Sequence, residues 1–405
     1  MRMRTQMHEA VMGGAVRGHC RALALLVGVS AAMLAAPGWA VDENAPQRRP
    51  VKVVAPDRLK VKTAAGEATI PLYSSVDLNK SHPEIKRALI LMHGRLRDAD
   101  RYFDVAQRVT AASGASGDTV VIAPQMLSSA DGARHDVAAS VPRWKRDGWM
   151  GGEPAKSPLP MSSFEAIDGV IAQLADRTRF PKLERIVIAG HSGGAQYVQR
   201  YAVVGRADQV LTAAGLQPFI DGATDTATGA APVMRVRYVI ANPSSYVYFD
   251  AGRPVAVGHC READHWRYGM NDFVPYVTQQ ATGAKGASSA GANGLAVGLE
   301  RRYLGRRVIY MSGGNDVDPN HSALDKSCMG EAQGANRMDR SRNYFAHVQK
   351  RAAQQSATLR HSRVEVPGVA HDADRMFNSV CGRAALFDAP GCELKLGETM
   401  VAPVR

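Results

Sequence analysis

Apolar and polar positions along the chain form two kinds of pattern. Continuous apolar runs at 87–93, 119–124 and 185–189 predict strands that are buried on both faces of a sheet. Shorter β-type runs lie at 51–54, 68–74, 235–241, 307–311 and 363–366. Segments with helical spacing separate most of these runs, most clearly after Ser162, where Glu165 completes a capping box. The alternation predicts an α/β fold with a mostly parallel central sheet and helices on both faces, and with an antiparallel edge formed by the first runs.

The first 40 residues differ from the rest of the chain. Four arginines precede an uncharged apolar run at 22–36, and the small residues Gly38 and Ala40 follow it. This order predicts a signal peptide over 1–40 that is cleaved near Ala40, and therefore a periplasmic or secreted protein. A membrane anchor is the alternative, but the run is shorter than the roughly 20 residues that a span needs, so we expect no stable span after cleavage. The polar residues 41–50 form a linker.

A long segment with many aromatic residues, 242–304, separates two of the predicted strands. We interpret it as a cap-like insertion into a core that consists of 51–241 and 305–405. Its second part, 280–298, is rich in Ala, Gly and Ser, which predicts a flexible loop.

Charge and cysteine content limit the possible functions. The chain carries a formal net charge of +12, but no basic block with interleaved aromatic residues, so nucleic-acid binding is not supported. Four cysteines follow the leader: Cys260, Cys328, Cys381 and Cys392. An even number in an exported chain predicts two disulfides, whose connectivity the spacing leaves open. None of the four has a His or Cys neighbour at metal-ligand spacing.

The sequence Gly190-His191-Ser192-Gly193-Gly194 follows a β-branched run and precedes a helical segment. A sharp turn from strand to helix needs small flanking residues, because a Cβ atom would clash there, and it exposes the serine at the carboxyl end of the sheet. This context favours Ser192 as a nucleophile over a glycine-rich turn without chemistry.

A serine hydroxyl group needs a base and an orienting acid. His371 lies directly after the last predicted strand, where it can reach a serine that follows a middle strand. Asp316 follows the run at 307–311 and a Gly-Gly turn, which favours it as the acid over Asp318. The order Ser192, Asp316, His371 is the one typical of this kind of fold. The spacing Asp-x-Asp-x-Asn at 316–320 lacks the glycine and glutamate of a calcium loop, and we expect no metal.

An oxyanion needs two N–H donors at the reacting carbonyl group. The N–H of Gly193, next to the candidate nucleophile, is one of them. The turn His93-Gly94 follows the strand at 87–93, so the N–H of Arg95 or Leu96 is the second candidate.

Together these residues resemble the α/β-hydrolase superfamily, over about residues 60–385. Segments 241–246, 316–320 and 333–337 also resemble a bacterial group within it. The resemblance implies a serine hydrolase that cleaves ester or amide bonds through an acyl-enzyme. The leader predicts that this hydrolase is exported, and a serine triad needs no cofactor.

We expect hydrolysis of small-molecule or polymeric carboxylic esters through a Ser-His-Asp triad. Asn242, Ser244 and Ser245 are candidates for substrate contacts. A peptidase or amidase on the same fold, or a catalytically inactive binding protein of the cell envelope, are the alternatives.

Overall fold

The computed structural model of the protein describes residues 46–218, 232–258, 260–283 and 292–403. The predicted signal peptide and the linker up to residue 45 lie outside these residues. The strands are β1 (Asp57–Thr63), β2 (Gly66–Ser74), β3 (Arg87–Met92), β4 (Thr119–Pro124), β5 (Leu127–Ser128), β6 (Arg143–Trp144), β7 (Arg185–His191), β8 (Gln217–Pro218), β9 (Val233–Ala241), β10 (Arg307–Gly313), β11 (His361–Val366) and β12 (Thr399–Val401).

The helices are α1 (Ala99–Ala112), α2 (Ser129–His135), α3 (Ser163–Leu174), α4 (Gly193–Val204), α5 (Ala207–Ala213), α6 (Pro275–Gly283), α7 (Ala292–Gly305), α8 (Cys328–Glu331), α9 (Arg337–Gln354), α10 (Ala373–Asn378) and α11 (Val380–Phe387). Short 3-10 helices lie at Pro46–Arg48 and Gly148–Gly151.

One large sheet organises the described part of the chain. Its strand order is β1-β2-β4-β3-β7-β9-β10-β11-β12, and β8 pairs with the beginning of β9. The pairs β1/β2 and β2/β4 are antiparallel, whereas the neighbours from β4 to β12 are parallel. This confirms the predicted α/β architecture with a mostly parallel sheet and an antiparallel edge.

Side chains of the central apolar strands pack into two hydrophobic cores, one on each face of the sheet. Side chains of β3 alternate between them: Ala88, Ile90 and Met92 belong to one core cluster, and Leu89 and Leu91 belong to another. Successive side chains of a strand point to opposite faces, so a strand covered on both faces must be apolar at every position. Because these strands are parallel, their carboxyl ends lie at one edge of the sheet. The loops that follow them therefore lie close together.

The helix α3 begins as its sequence predicts. The Ser162 Oγ accepts the N–H of Phe164 at 3.2 Å, and the N–H of Ser162 donates to Glu165 Oε2 at 2.8 Å. These bonds satisfy N–H groups that a helix start leaves without intrahelical partners.

One local prediction is wrong, and a second segment contains helix where no regular structure was expected. Residues 51–54 form no strand, because this segment bonds to side chains: the N–H of Val51 donates to Asp131 and that of Ala55 to Gln125, both at 2.8 Å. The predicted flexible loop 280–298 is helical at both ends, since α6 reaches Gly283 and α7 begins at Ala292. Alanine favours helices, and α7 buries Tyr303 and Leu304 in the core on its way from β9 to β10. Residues 284–291 lie outside the described residues.

Both predicted disulfides are present in the structure. Cys260 bonds Cys328, which ties the 242–304 segment to α8, and Cys381 bonds Cys392 near the end of the chain. In the part of the chain that the structure describes, no helix is long and apolar enough to cross a membrane.

Candidate active site

Ser192 occupies the sharp turn between β7 and α4. Its backbone has φ 58° and ψ −119°, which non-glycine residues rarely adopt, and its N–H donates to the carbonyl oxygen of Ala241 at 3.0 Å. A Cβ atom on Gly190 would lie 2.4 Å from the backbone of Gly194, and one on Gly194 would lie 2.3 Å from the carbonyl oxygen of Met92. The flanking glycines are therefore required by the close approach of β3, β7 and α4.

The structure brings Ser192, His371 and Asp316 together. Ser192 Oγ lies 2.9 Å from His371 Nε2, and His371 Nδ1 lies 2.7 Å from Asp316 Oδ2. The three residues follow β7, β11 and β10, whose carboxyl ends share one edge of the sheet. With Nδ1–H donating to the carboxylate, Nε2 is left to accept the serine proton.

Asp316, the candidate acid, has a second partner that the sequence did not indicate. Arg337, at the start of α9, donates from Nη1 to Asp316 Oδ1 at 3.1 Å, and both side chains are buried. Asp316 thus lies between an imidazole and a guanidinium. The rival acid, Asp318, is exposed and accepts the N–H of Asn320 instead. Sequence reasoning noted Arg337 only within a resembling segment and had no signal for its contact with Asp316.

Burial and nearby charges determine the protonation states of His371 and Asp316. Burial lowers the pKa of His371 below its ordinary value, the positive charge of Arg337 lowers it further, and the hydrogen bond to Asp316 opposes both. Burial alone would raise the pKa of Asp316. The hydrogen bond from His371 and the charges of His371 and Arg337 outweigh burial, so the pKa is lowered. At neutral pH the arrangement therefore pairs a neutral imidazole with an ionised carboxylate.

Two further histidines surround His371. The ring of His191 lies 4.5 Å from that of His371, and the ring of His321 lies 5.1 Å from it. Burial lowers the pKa of His191 well below its ordinary value, so this ring is neutral. His321 was missed by sequence reasoning, because it lies on an irregular segment where neither a strand end nor a turn motif frames it.

The candidate oxyanion donors lie next to each other. The backbone N of Arg95 is 3.0 Å from the position that a Cβ atom on Gly193 would take. Gly193 is the first residue of α4, where N–H groups have no intrahelical acceptor. Next to them His93 is fully buried and accepts the N–H of Met126 at 2.9 Å, and burial lowers its pKa to about 4. His93 thus holds the turn as a neutral ring.

The three candidates for substrate contacts have different surroundings. Ser244 lines a pocket beside the nucleophile turn and accepts a hydrogen bond from Arg337 at 3.2 Å. Asn242 and Ser245 are buried and do not line that pocket. Asn242 accepts the N–H of Gly313 at 2.8 Å, and Ser245 donates to Gln196 at 2.8 Å. The polar groups of Asn242 and Ser245 are thus used inside the protein, and a contact of either residue with substrate stays a prediction.

Trp144 and Trp149 are also buried and pack in the larger core cluster.

Within the described residues no group of three or more His, Cys, Asp or Glu side chains could hold a metal ion. The Asp-x-Asp-x-Asn segment bonds to Arg337, His371 and itself.

No protein-family model and no curated protein sequence matches the chain. Solved structures match it in fold. Poly(aspartic acid) hydrolase-1 from Sphingomonas sp. KT-1 is 21% identical, with a TM-score of 0.50 over 81% of this chain and 96% of that protein. LpqC, a poly(3-hydroxybutyrate) depolymerase from Bordetella parapertussis, is 18% identical, with a TM-score of 0.51 over 84% of this chain and 91% of that protein. At these identities the likeness shows a shared fold.

Proposed function

Because the chain has the α/β-hydrolase fold, we propose that it is a serine hydrolase that cleaves carboxylic esters through an acyl-enzyme. The nucleophile is Ser192, the base is His371 and the acid is Asp316. The observation that carries the proposal is the continuous pair of hydrogen bonds, 2.9 Å from serine to imidazole and 2.7 Å from imidazole to carboxylate. Fold alone does not define a reaction, whereas this geometry is what nucleophilic catalysis by serine needs.

In the first half of the reaction, Ser192 Oγ attacks the ester carbonyl carbon as its proton moves to His371 Nε2. The carbonyl electron pair moves onto oxygen, and the N–H groups of Gly193 and Arg95 donate to that oxyanion. Asp316 stabilises the imidazolium and holds its Nδ1–H. The oxyanion then collapses, the C–O bond to the alcohol breaks, and His371 returns the proton to the leaving oxygen.

In the second half, water attacks the acyl-enzyme. His371 accepts a proton from water, and the second tetrahedral intermediate forms against the same two N–H groups. When it collapses, the bond from carbonyl carbon to Ser192 Oγ breaks, the serine takes back the proton, and the acid product leaves. The lowered pKa of His371 keeps the base neutral and ready near pH 7.

The test uses the mature chain, residues 41–405, with a fluorophosphonate label and 4-nitrophenyl acyl esters. We expect labelling and ester turnover by the wild type and neither by Ser192→Ala. Ser312→Ala is a matched control, because Ser312 is a buried serine near the acid that bonds Ser341 rather than His371. Equal labelling of wild type and Ser192→Ala would remove Ser192 as nucleophile.

A parallel panel of aminoacyl 4-nitroanilides separates ester from amide hydrolysis. Turnover of the anilides alone would replace the ester proposal by a peptidase or amidase. Absence of both label and turnover in a folded wild-type protein would favour the binding protein without catalysis.

The same proposal places the protein in the periplasm or outside the cell after cleavage of residues 1–40. Two disulfides support an oxidising compartment. Expression of the full chain in a bacterial host, followed by fractionation and N-terminal sequencing, should give a product that starts near Val41. An uncleaved chain in the membrane fraction would contradict export by this signal.

A further inference from the structure

A pocket of about 220 Å³ begins beside the nucleophile turn. Its walls include Arg95, Met150, Gln196 and Arg267. The Cγ of Arg95 and the Sδ of Met150 each lie 2.9 Å from the position that a Cβ atom on Gly193 would take. A substrate whose carbonyl group is held at Ser192 can therefore place a group in this pocket that is only a few bonds away from that carbonyl.

Arg267 differs from the other cations of the pocket. Arg95 pairs with Asp147 at 2.7 Å, and Lys326 pairs with Glu331 at 2.7 Å. Arg267 donates from Nη1 to the backbone carbonyl oxygen of Asp147 at 2.8 Å. In the part of the chain that the structure describes, no carboxylate lies within 4.0 Å of its guanidinium. Its Nε and Nη2 remain available to a ligand.

A second guanidinium behind the pocket adds to this positive charge. Arg200 is fully buried, and all four of its hydrogen bonds go to uncharged acceptors, including the carbonyl oxygen of Arg267. Burial and the charge of Arg267 lower the pKa of Arg200 to about 9. The negative charges of Glu153 and Asp325 oppose this shift. Among the described residues, neither carboxylate lies within 4.0 Å of the Arg200 guanidinium.

The pocket carboxylates already have partners. Asp147 accepts from Arg95, as described above. Asp325 accepts from Tyr268 Oη at 2.7 Å and from Ser327 Oγ at 2.7 Å. Burial would raise the pKa of Asp325, but these hydrogen bonds outweigh it and the pKa is lowered. Neither forms a direct ion pair with Arg267. Burial would lower the pKa of Arg267, but the charges of Tyr268, Asp147, Glu153 and Asp325 outweigh burial and the pKa is raised, so the guanidinium stays charged. An anion that reaches its free N–H groups gains charge-assisted hydrogen bonds.

We propose that this pocket binds a carboxylate group of the substrate, so that the preferred esters carry a second carboxylate in a short acyl group. Arg267 is the specificity-determining residue, and its free Nε and Nη2 suit the two oxygens of a carboxylate. The pocket volume of about 220 Å³ has room for a short acyl group that ends in a carboxylate. The inference rests on the ester hydrolysis proposed above and specifies its substrate class.

The kinetic test compares mono(4-nitrophenyl) glutarate with 4-nitrophenyl 5-methylhexanoate, in which an isopropyl end replaces the carboxylate at similar shape. A charge-assisted pair predicts that kcat/KM of the wild type favours the glutarate ester by about ten- to hundredfold. Arg267→Gln should bring this ratio close to one, and Arg267→Lys should keep part of the preference. Arg134→Gln, which removes an equal charge from an exposed position on α2, should leave the ratio unchanged.

A wild-type ratio near or below one, or an unchanged ratio in Arg267→Gln, would overturn the inference. If Arg267→Gln loses both activities, competition decides: glutarate should inhibit the wild type on the uncharged ester and glutaramide should not. Equal inhibition by the two compounds would also overturn it.

Calorimetry separates failure of the inference from failure of the proposed function. If neither ester is cleaved, ester hydrolysis is wrong, and glutarate binding to the wild type still tests the pocket. We expect binding that Arg267→Gln abolishes and Arg134→Gln retains. Ester turnover without any effect of the carboxylate would leave the proposed function intact and contradict the carboxylate site.

Discussion

The backbone strain of the turn at Ser192 can be measured by substitution. Its φ of 58° and ψ of −119° cost a residue with a Cβ atom on the order of 1–3 kcal/mol. Replacing Ser192 by Gly removes the Cβ atom and therefore the strain, whereas replacing it by Ala keeps both. The two variants lose the same hydroxyl group and the same hydrogen bond to His371, so the difference between them reports the backbone.

The expected difference has an unusual sign. At an ordinary position Gly is less stable than Ala by about 0.5–1 kcal/mol, because the unfolded chain with Gly is freer. Relief of the strain exceeds this cost. We therefore expect Ser192→Gly to be more stable than Ser192→Ala by about 1 kcal/mol, within a range of roughly 0 to 2.5 kcal/mol.

The assay is urea-induced unfolding followed by tryptophan fluorescence, with midpoints compared at a common m-value. Trp144 and Trp149 are buried and should respond to loss of the core. Ala346→Gly is the control, because Ala346 is exposed in the middle of α9, where the exchange should cost about 1 kcal/mol. If Ser192→Gly is less stable than Ser192→Ala by a similar amount, the turn is not strained and the reasoning is refuted.

Three further changes test other parts of the structure. Arg337→Met removes a positive charge that lowers the pKa of His371, so this pKa should rise and the acid limb of the kcat/KM profile should move to higher pH; an unchanged limb in the folded variant contradicts this. Gly194→Ala places a Cβ atom 2.3 Å from a carbonyl oxygen of β3, so we expect loss of folded protein, and a native circular dichroism spectrum would show the reverse. Replacing Cys260 and Cys328 by Ser removes a link of sequence separation 68 and should lower the free energy of unfolding by up to about 4 kcal/mol in urea; equal stability would exclude this contribution.

The sequence predicts the central strands well, because a strand that is buried on both faces is apolar at nearly every position. The run at 119–124 is buried at all six positions and matches β4 residue for residue. The segment at 51–54 has similar composition, yet Val51 bonds to the side chain of Asp131 rather than to a strand. A short apolar run does not specify its partner, since a side chain 80 positions away satisfies the backbone as well as a strand does.

The candidate site was predictable only where a strand end and a turn frame the residue. Ser192, Asp316 and His371 have such frames. Arg337 and Arg267 lack them: one begins a helix and the other lies in an irregular segment, and their roles depend on which carboxylates come near in three dimensions. Unpaired charge is a property of the packed structure, so no local pattern of residue types encodes it.

Asn242 shows how the fold fixes the distances on which the site depends. Its Oδ1 accepts the N–H of Gly313 at 2.8 Å, and its Nδ2 lies 3.3 Å from Nε2 of His191 and 3.4 Å from the carbonyl oxygen of Ala370. These partners belong to the strand ends and loops that carry the candidate acid, nucleophile and base. One buried amide thus spans all three, and an apolar residue would leave the N–H of Gly313 without its acceptor. The spacing of the candidate triad therefore depends on a residue outside it, which explains a polar side chain at a position that is only 1% exposed.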